Sequence, residues 1–503
     1  MKKDIGKILG IVVFLALYLM FPQDPAMNVA AVTALMVIWW ITEAIPIPAT
    51  ALVPLILFPV IGVLNASEAA SPYADKIIFL FMGGFIIAMS MQRWGLHERI
   101  ALHIIKLMGT SPRRLIFGFM VATAFLSMWI SNTATAMMMI PIATAIIATI
   151  LPNKNVKLDE MDEDQRHFSE AIVLSIAYAA SIGGIATIIG TPPNGIFVSQ
   201  VDAIFPNAPQ IGFFEWMVFG VPLVAIFLPI AWLWLTYGSY RHMPKTLSHG
   251  KTVIQDRLDA IGPMKSGERW TLLVFVATAL CWILRTEKQI GDIIIPGINT
   301  FLPFVHDSTI AMAGAVVLFL LPVNRKEGIY TMNWEWAKKI PWGILLLFGG
   351  GICLSKAFVA SGLAKVIMDQ MTIIHGFEII LVVLVIALVV SFLTEVTSNT
   401  AMAAIMMPIM AVTAVSMGVH PYILMMTAAF ACSFAFMLPV ATPPNAVAYG
   451  SGYVTMSDMI RSGWVLNLIG VFLITIFMFT IILTVLGIDV FIPEWALNPV
   501  IGK

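Results

Sequence analysis

The chain has 503 residues, 59% hydrophobic and 11% charged, with 28 basic against 28 acidic side chains and mean hydropathy +0.93. A soluble domain carries about 25% charged residues, so this chain lacks the polar surface to meet water all round, and no basic field exists to neutralise nucleic-acid phosphates. Cys281, Cys353 and Cys432 lie far apart without a CxxC or Cys/His cluster, which argues against a disulfide scaffold, a zinc site or an iron–sulfur cluster.

What remains is a polytopic membrane protein, and a bilayer span needs about 20 mostly apolar residues. The first apolar segment, 5–21, follows the basic start MKKD. No small-x-small cleavage site succeeds it, so it reads as an uncleaved helix with a cytoplasmic N-terminus. Spans follow at 28–42, 48–64 and 77–92. Residues 93–114 are the most basic stretch, with Arg93, Arg99, Lys106, Arg113 and Arg114 against Glu98. The apolar segment 115–151 holds a polar triplet near its middle and reads as a helical hairpin whose tip lies inside the membrane.

Beyond the polar stretch 152–170, segments 171–190 and 194–205 form a broken helix, and 213–237 a further span. Residues 239–269 read as the linker between halves. Spans at 270–285, 308–323 and 343–360 flank a polar stretch at 324–341. A second hairpin is expected over 379–418, a second broken helix over 422–438 with 445–454, and a last span over 462–487. Val396–Ser457 contains no Asp, Glu, Lys or Arg, yet Pro408, Pro421, Pro439, Pro443 and Pro444 interrupt it. Broken helices persist in lipid only where protein or a water-lined cavity covers them.

The chain repeats itself. FMGG at 81–84 matches FGGG at 348–351, and SNTAT at 131–135 matches SNTAM at 398–402, both pairs 267 positions apart. GTPPN at 190–194 matches ATPPN at 441–445 at a separation 16 shorter, and the acidic loop 153–168 is 16 residues long. It reads as the insertion. The basic stretch 93–114 corresponds to 360–381, where Lys365 faces Asp369 and Glu378. Cytoplasmic segments carry the Lys/Arg excess, so the halves face opposite sides, an inverted-topology repeat of the kind common in secondary transporters.

Ser131-Asn132-Thr133 and Ser398-Asn399-Thr400 each precede a helix-forming stretch. Ser and Asn favour N-caps, and a helix start inside the membrane offers free N–H groups and a positive dipole end to an anion. Their side-chain oxygens could also ligate a hard cation. The plainer alternative has Ser and Thr bonding back to their own helices and Asn pairing between helices. Thr191-Pro192-Pro193-Asn194 and Thr442-Pro443-Pro444-Asn445 break helices by removing two successive donors. Gly190 and Ala441, before each break, are small enough to let backbone oxygens approach an ion.

Around these motifs the one ionisable residue is Glu395, opposite Met128 in the first copy. It is either a proton-coupling group or a buried carboxyl hydrogen-bonded to hairpin backbone. A dianion held here meets no fixed positive side chain, and helix ends of about half a charge each leave it short of neutral in a low dielectric. Coupling to Na⁺ would close that gap. Glu43 sits at a helix end, where it caps or faces water, and the Gly-Gly pairs permit close helix packing. Without GxxxxGK[ST], ATP does not drive the process directly.

The paired SNT triplets, the paired TPPN breaks and TEAIPIPATALVP near the N-terminus resemble the divalent anion sodium symporter (DASS) family over roughly 28–488. The resemblance implies an all-α fold of about 11 transmembrane helices plus two re-entrant hairpins. It also implies a lipid-embedded homodimer in which a transport domain slides against a scaffold like an elevator. In these terms 1–114 and 270–378 would be scaffold, 115–238 and 379–503 transport domain, and 239–269 the cytoplasmic linker. Substrate carboxylates would be bound by Ser131, Asn132, Thr133, Ser398, Asn399, Thr400, Thr191 and Thr442. One sodium site would use Ser127, Ser131, Asn132 and Gly190, and the other Thr394, Thr397, Asn399 and Ala441.

The expected function is therefore sodium-coupled transport of C4–C5 dicarboxylates across the cytoplasmic membrane, with no organic cofactor. A sodium-independent dicarboxylate exchanger is the rival on the same fold, and a sulfate carrier a second. A membrane enzyme would want clustered His, Asp or Glu in its spans. A channel would want rings of charge or carbonyls in a symmetric oligomer.

Overall fold

The computed structural model describes residues 2–109, 111–151, 161–244, 250–290, 293–370 and 376–497. Most of them are helical, with two short antiparallel ladders, Lys288–Ile290 on Ile293–Ile295 and Pro322–Asn324 on Ile329–Tyr330. Seven helices among the described residues are long and apolar enough to cross a membrane, and shorter apolar helices accompany them. The chain is an all-α polytopic membrane protein.

Helices Lys2–Met20 and Pro25–Thr42 pack antiparallel. Asp24 caps the second by accepting from the N–H groups of Ala26 and Met27, and Pro25 enters where no donor is needed. A Cβ at Gly6 would collide with Thr42, and one at Gly10 with Trp39, so both glycines serve close approach. The segment expected as one span over 48–64 is instead two short helices, Ile47–Thr50 and Val53–Val60. Pro46, Pro48 and Pro54 each fit a first helical turn better than an interior.

Lys76–Trp94 and Trp342–Ser361 carry the Gly-Gly pairs, and these do permit close packing. Cβ atoms at Gly83 and Gly350 would strike the backbone of Ala311 and Ala51. The basic stretch forms an amphipathic helix, Leu96–Met108. The expected linker 239–269 is not irregular throughout. Residues 245–249 lie outside the described residues, but Gly250–Ile261 is a helix packed on Leu96–Met108, tied by Lys106 to Gln255 (2.8 Å) and by Arg99 to the Gly262 carbonyl (2.9 Å). Arg99 also pairs with Glu268 at 2.8 Å.

Both hairpins form, as Pro112–Ser127 with Asn132–Ile150 and as Ile379–Thr394 with Asn399–Ser416. The base of the first lies beside Tyr237, where Arg113 stacks on the ring at 4.2 Å. Tyr237 lies near the end of the helical run Phe213–Ser239, and the base of the second hairpin lies toward the start of that run, since Gly418 and His420 bond Ile492 and Val490 and Tyr422 reaches the Pro209 carbonyl at 2.6 Å. The hairpins thus enter from opposite ends of the helical body.

The broken helices depart from expectation at one end each. The first begins at Glu163, not 171, and runs to Gly184 before resuming as Pro192–Ile204. Its first turn is charged, which disguises it as loop. Asp162 caps it, acids occupy its first turn, and Arg166 pairs with Glu170 at 2.6 Å. Of the proposed insertion, 152–160 lies outside the described residues. The second break begins earlier than expected. Helix Pro421–Ala431 stops short of 438, and an unwound stretch of turns and coil leads to Pro443–Gly450.

Candidate functional site

Four helices begin at one place. Their N-cap residues, Ser131, Thr191, Ser398 and Thr442, all line a single cavity of about 460 Å³. Two of these starts belong to hairpin tips and two to the breaks between helix halves. Each contributes about half a positive charge, so together they present about two charges to whatever occupies the cavity. Sequence reasoning counted helix ends too few at a time. The shortfall of positive charge for a dianion is smaller than the motifs implied.

All eight expected substrate ligands line this cavity: Ser131, Asn132, Thr133, Thr191, Ser398, Asn399, Thr400 and Thr442. Gly190, Thr397 and Ala441, expected at sodium sites, line it as well. Ser127 and Thr394 do not. They are fully buried behind the tips, and each bridges its asparagine to a carbonyl of the neighbouring broken helix. Ser127 Oγ lies 2.5 Å from Asn132 Oδ1 and 2.7 Å from the Ala180 carbonyl. Thr394 Oγ1 lies 2.6 Å from Asn399 Oδ1 and 3.2 Å from the Cys432 carbonyl.

Asn132 Oδ1 faces acceptors, 3.2 Å from the Gly190 carbonyl and 3.1 Å from that of Ala180. Ser127 has one proton to share among them. Oxygens gathered this way repel one another until the amide turns its nitrogen inward or a hard cation neutralises them. The donor set, hydroxyl, amide and carbonyl oxygen without sulfur or imidazole, fits Na⁺ better than any transition metal. Among the described residues no cluster of His, Cys, Asp or Glu could hold a metal ion.

The two copies are not equal in their caps. Ser131 Oγ accepts from Ala134 N at 3.3 Å, whereas Ser398 makes no capping bond. Conversely Thr442 Oγ1 accepts from Asn445 N at 3.3 Å and Thr191 caps nothing. Ser131→Ala is expected to lower stability by about 1 kcal/mol through the lost cap. Ser398→Ala should leave the melting temperature unchanged and weaken substrate binding alone, a contrast that melting and uptake curves on the two variants check.

Three contributors went unnoticed in the sequence. Asn194 Nδ2 donates to the carbonyls of Gly184 (3.2 Å) and Thr187 (2.8 Å), and Asn445 Nδ2 to those of Ala435 (3.1 Å) and Leu438 (3.0 Å). The same partners recur at the same separation, so each TPPN asparagine clips its own break. Their presence in both TPPN copies was the available signal. The third is Asn467, a partner of Glu395.

Glu395 is a buried carboxyl that holds backbone. Its Oε1 accepts from Phe436 N (2.7 Å) and Met437 N (2.9 Å), and its Oε2 from Leu438 N (3.0 Å). Asn467 Nδ2 adds a fourth donor at 2.7 Å. The backbone it serves belongs to the second break, not to the hairpin. No cation pairs with it among the described residues. Met128, its counterpart, instead offers its carbonyl to Thr187 Oγ1 at 2.5 Å, and in the first break the N–H groups of Ile185 and Ala186 donate to the carbonyls of Ile182 and Gly183.

Lys3 and Glu43 also line the cavity, both exposed at its rim. The expectation that no positive side chain meets the occupant therefore holds for the motifs but not for the mouth. Glu43 ends helix Pro25–Thr42 in a left-handed conformation (φ 48°), the one positive φ at a non-glycine among the described residues. Helix Lys2–Met20 brings Lys3 alongside through the Gly6–Thr42 approach, a tertiary contact that the sequence gives no means to place.

Residues 2–486 match the family model described as the sodium:sulfate symporter transmembrane region. The chain is 44% identical over 491 residues to a sodium-dependent dicarboxylate transporter, SdcS, of Staphylococcus saprophyticus, covering 97% of this chain and 92% of that one. SdcS of Staphylococcus aureus is likewise 44% identical over 494 residues, with the same coverage. Among solved structures, Neisseria gonorrhoeae MtrF shares the fold at TM-score 0.58 and 11% identity, covering 93% of this chain and 96% of its own. Alcanivorax borkumensis YdaH does so at TM-score 0.53 and 13% identity, over 83% and 86%.

Proposed function

The chain belongs to the divalent anion sodium symporter family, a family of transporters and not of enzymes, and from that premise we propose that it is a secondary active carrier moving C4–C5 dicarboxylates together with Na⁺. The observation that carries the reading is the meeting of four helix N-termini and both polar triplets in one cavity. The helix ends and the hydroxyl and amide groups of both triplets receive the two carboxylates. Ser127, Ser131, Asn132 and Gly190 seat one sodium ion, and Thr394, Thr397, Asn399 and Ala441 the other. The names of the staphylococcal relatives support both cargo assignments.

The hairpins, broken helices and the helices following them form the transport domain in this reading. The cavity wall opposite them, Trp40, Ile41, Thr42, Glu43, Ile47, Phe85 and Ile344, belongs to the scaffold, and the protein acts as a homodimer in the cytoplasmic membrane by an elevator-type displacement. A second reading, dicarboxylate exchange without sodium, draws support from the two charges or so that four helix ends supply. Uptake of labelled succinate into proteoliposomes separates them. The symport reading expects accumulation driven by an inward sodium gradient and lost when choline replaces sodium. Uptake indifferent to sodium but dependent on internal dicarboxylate would establish exchange. Competition by succinate but not sulfate would exclude an inorganic-anion carrier.

A further inference from the structure

Helix Pro192–Ile204 begins in the cavity and ends in a second cleft. Pro192 lines the first, and Asp202, about 15 Å further along the helix, lines a cleft of about 700 Å³ with Lys76, Asp75 and Lys356. Lys76–Trp94 has the same relation to both, since Phe85 faces the cavity and Lys76 the cleft. The rim residues Lys3 and Glu43 are not among those lining the cleft. Between the two spaces the path is shut. Phe81 and Phe348 meet edge to face with centroids 4.6 Å apart, and Gly195 packs so tightly on Phe81 that a Cβ there would overlap the ring.

Two polar contacts tie the far end of this helix to the opposing wall. Lys76 Nζ pairs with Asp202 Oδ2 at 3.0 Å, both partly exposed. Ser355 Oγ donates to Gln200 Oε1, both residues buried, and Gln200 Nε2 has no hydrogen-bond partner among the described residues. A buried polar pair in an apolar contact favours one register over its alternatives. We propose that Lys76–Asp202 and Gln200–Ser355 are positioning contacts that hold the cavity shut toward the cleft, so that their rupture is part of exposing the substrate to that side. The proposal rests on the carrier reading, because only alternating exposure requires the path to open there.

The test reads exposure and not transport, so it stands apart from the uptake assay. In a variant lacking Cys281, Cys353 and Cys432, a cysteine replaces Val440, an exposed residue of the cavity. Membrane vesicles of each orientation are treated with a membrane-impermeant maleimide. An exposed ion pair or a buried hydrogen bond is worth up to about 1 kcal/mol, a factor of roughly five. Lys76→Met and Gln200→Ala are each expected to raise labelling from the cleft side about fivefold. The reversed pair, Lys76→Asp with Asp202→Lys, should return it toward the parent rate, which a merely destabilised fold would not do. Unchanged labelling in both single variants, or a reversed pair no closer to the parent than its components, overturns the proposal.

Discussion

Asn132→Ala and Asn399→Ala are each expected to cut initial dicarboxylate uptake by at least about tenfold, with the extracted protein still melting near the parent temperature. Each asparagine lines the cavity at a hairpin tip, the Asn132 amide beside the Gly190 and Ala180 carbonyls and the Asn399 amide oxygen accepting from Thr394 Oγ1. Removal takes one oxygen from a cation seat and one donor from the carboxylate. Loss of a polar group that binds charge costs about 1.5–3 kcal/mol, which is a factor of ten or more in occupancy. Stability should change little, because both amides are half-buried and bonded mainly within the site. The sodium concentration for half-maximal uptake should rise in both. Near-normal uptake by both variants would remove the asparagines from the site.

Glu395→Ala carries the larger structural effect. It orphans the N–H groups of Met437 and Leu438 together with the Asn467 amide nitrogen, and leaves Phe436 N with Asn467 Oδ1 alone; each buried unsatisfied donor costs about 1–3 kcal/mol. Several kcal/mol is a large part of a protein's whole stability, so little folded protein is expected after extraction. Glu395→Gln keeps the shape but turns an NH₂ toward backbone donors, and should lie between. Asn467→Leu removes one donor and should cost least. Thermal melts of the three, ranked in that order, check the assignment. A Glu395→Ala melt equal to the parent would show that the unwound segment needs no carboxylate.

The legible part of this protein was what breaks a pattern locally. A polar triplet inside an apolar run and two adjacent prolines both contradict a membrane helix, so SNT and TPPN stood out, and each occurred twice. The eight substrate candidates converge on one cavity for that reason. The illegible part depended on partners distant in sequence. Nothing between 431 and 438 forbids a helix. The segment is unwound where Glu395 and Asn467 both accept from its backbone N–H groups. The start at Glu163 was hidden for the converse reason, since charged residues with partners, Arg166 with Glu170, look like loop when read alone. Lys3 reaches the rim only through a neighbouring helix, and the three-residue ladders are too short to announce themselves.

In the proposed carrier, the clip formed by Asn194, and again by Asn445, fixes what half of each ion seat is made of. On the broken-helix side the Gly190 and Ala441 oxygens are carried by turns pinned from within, so their geometry exists before any ion arrives and little ordering entropy is spent on arrival. On the hairpin side each asparagine is steadied by one hydroxyl. Such seats would be preformed on one side and adaptable on the other, which places the response to cargo at the tips in this reading.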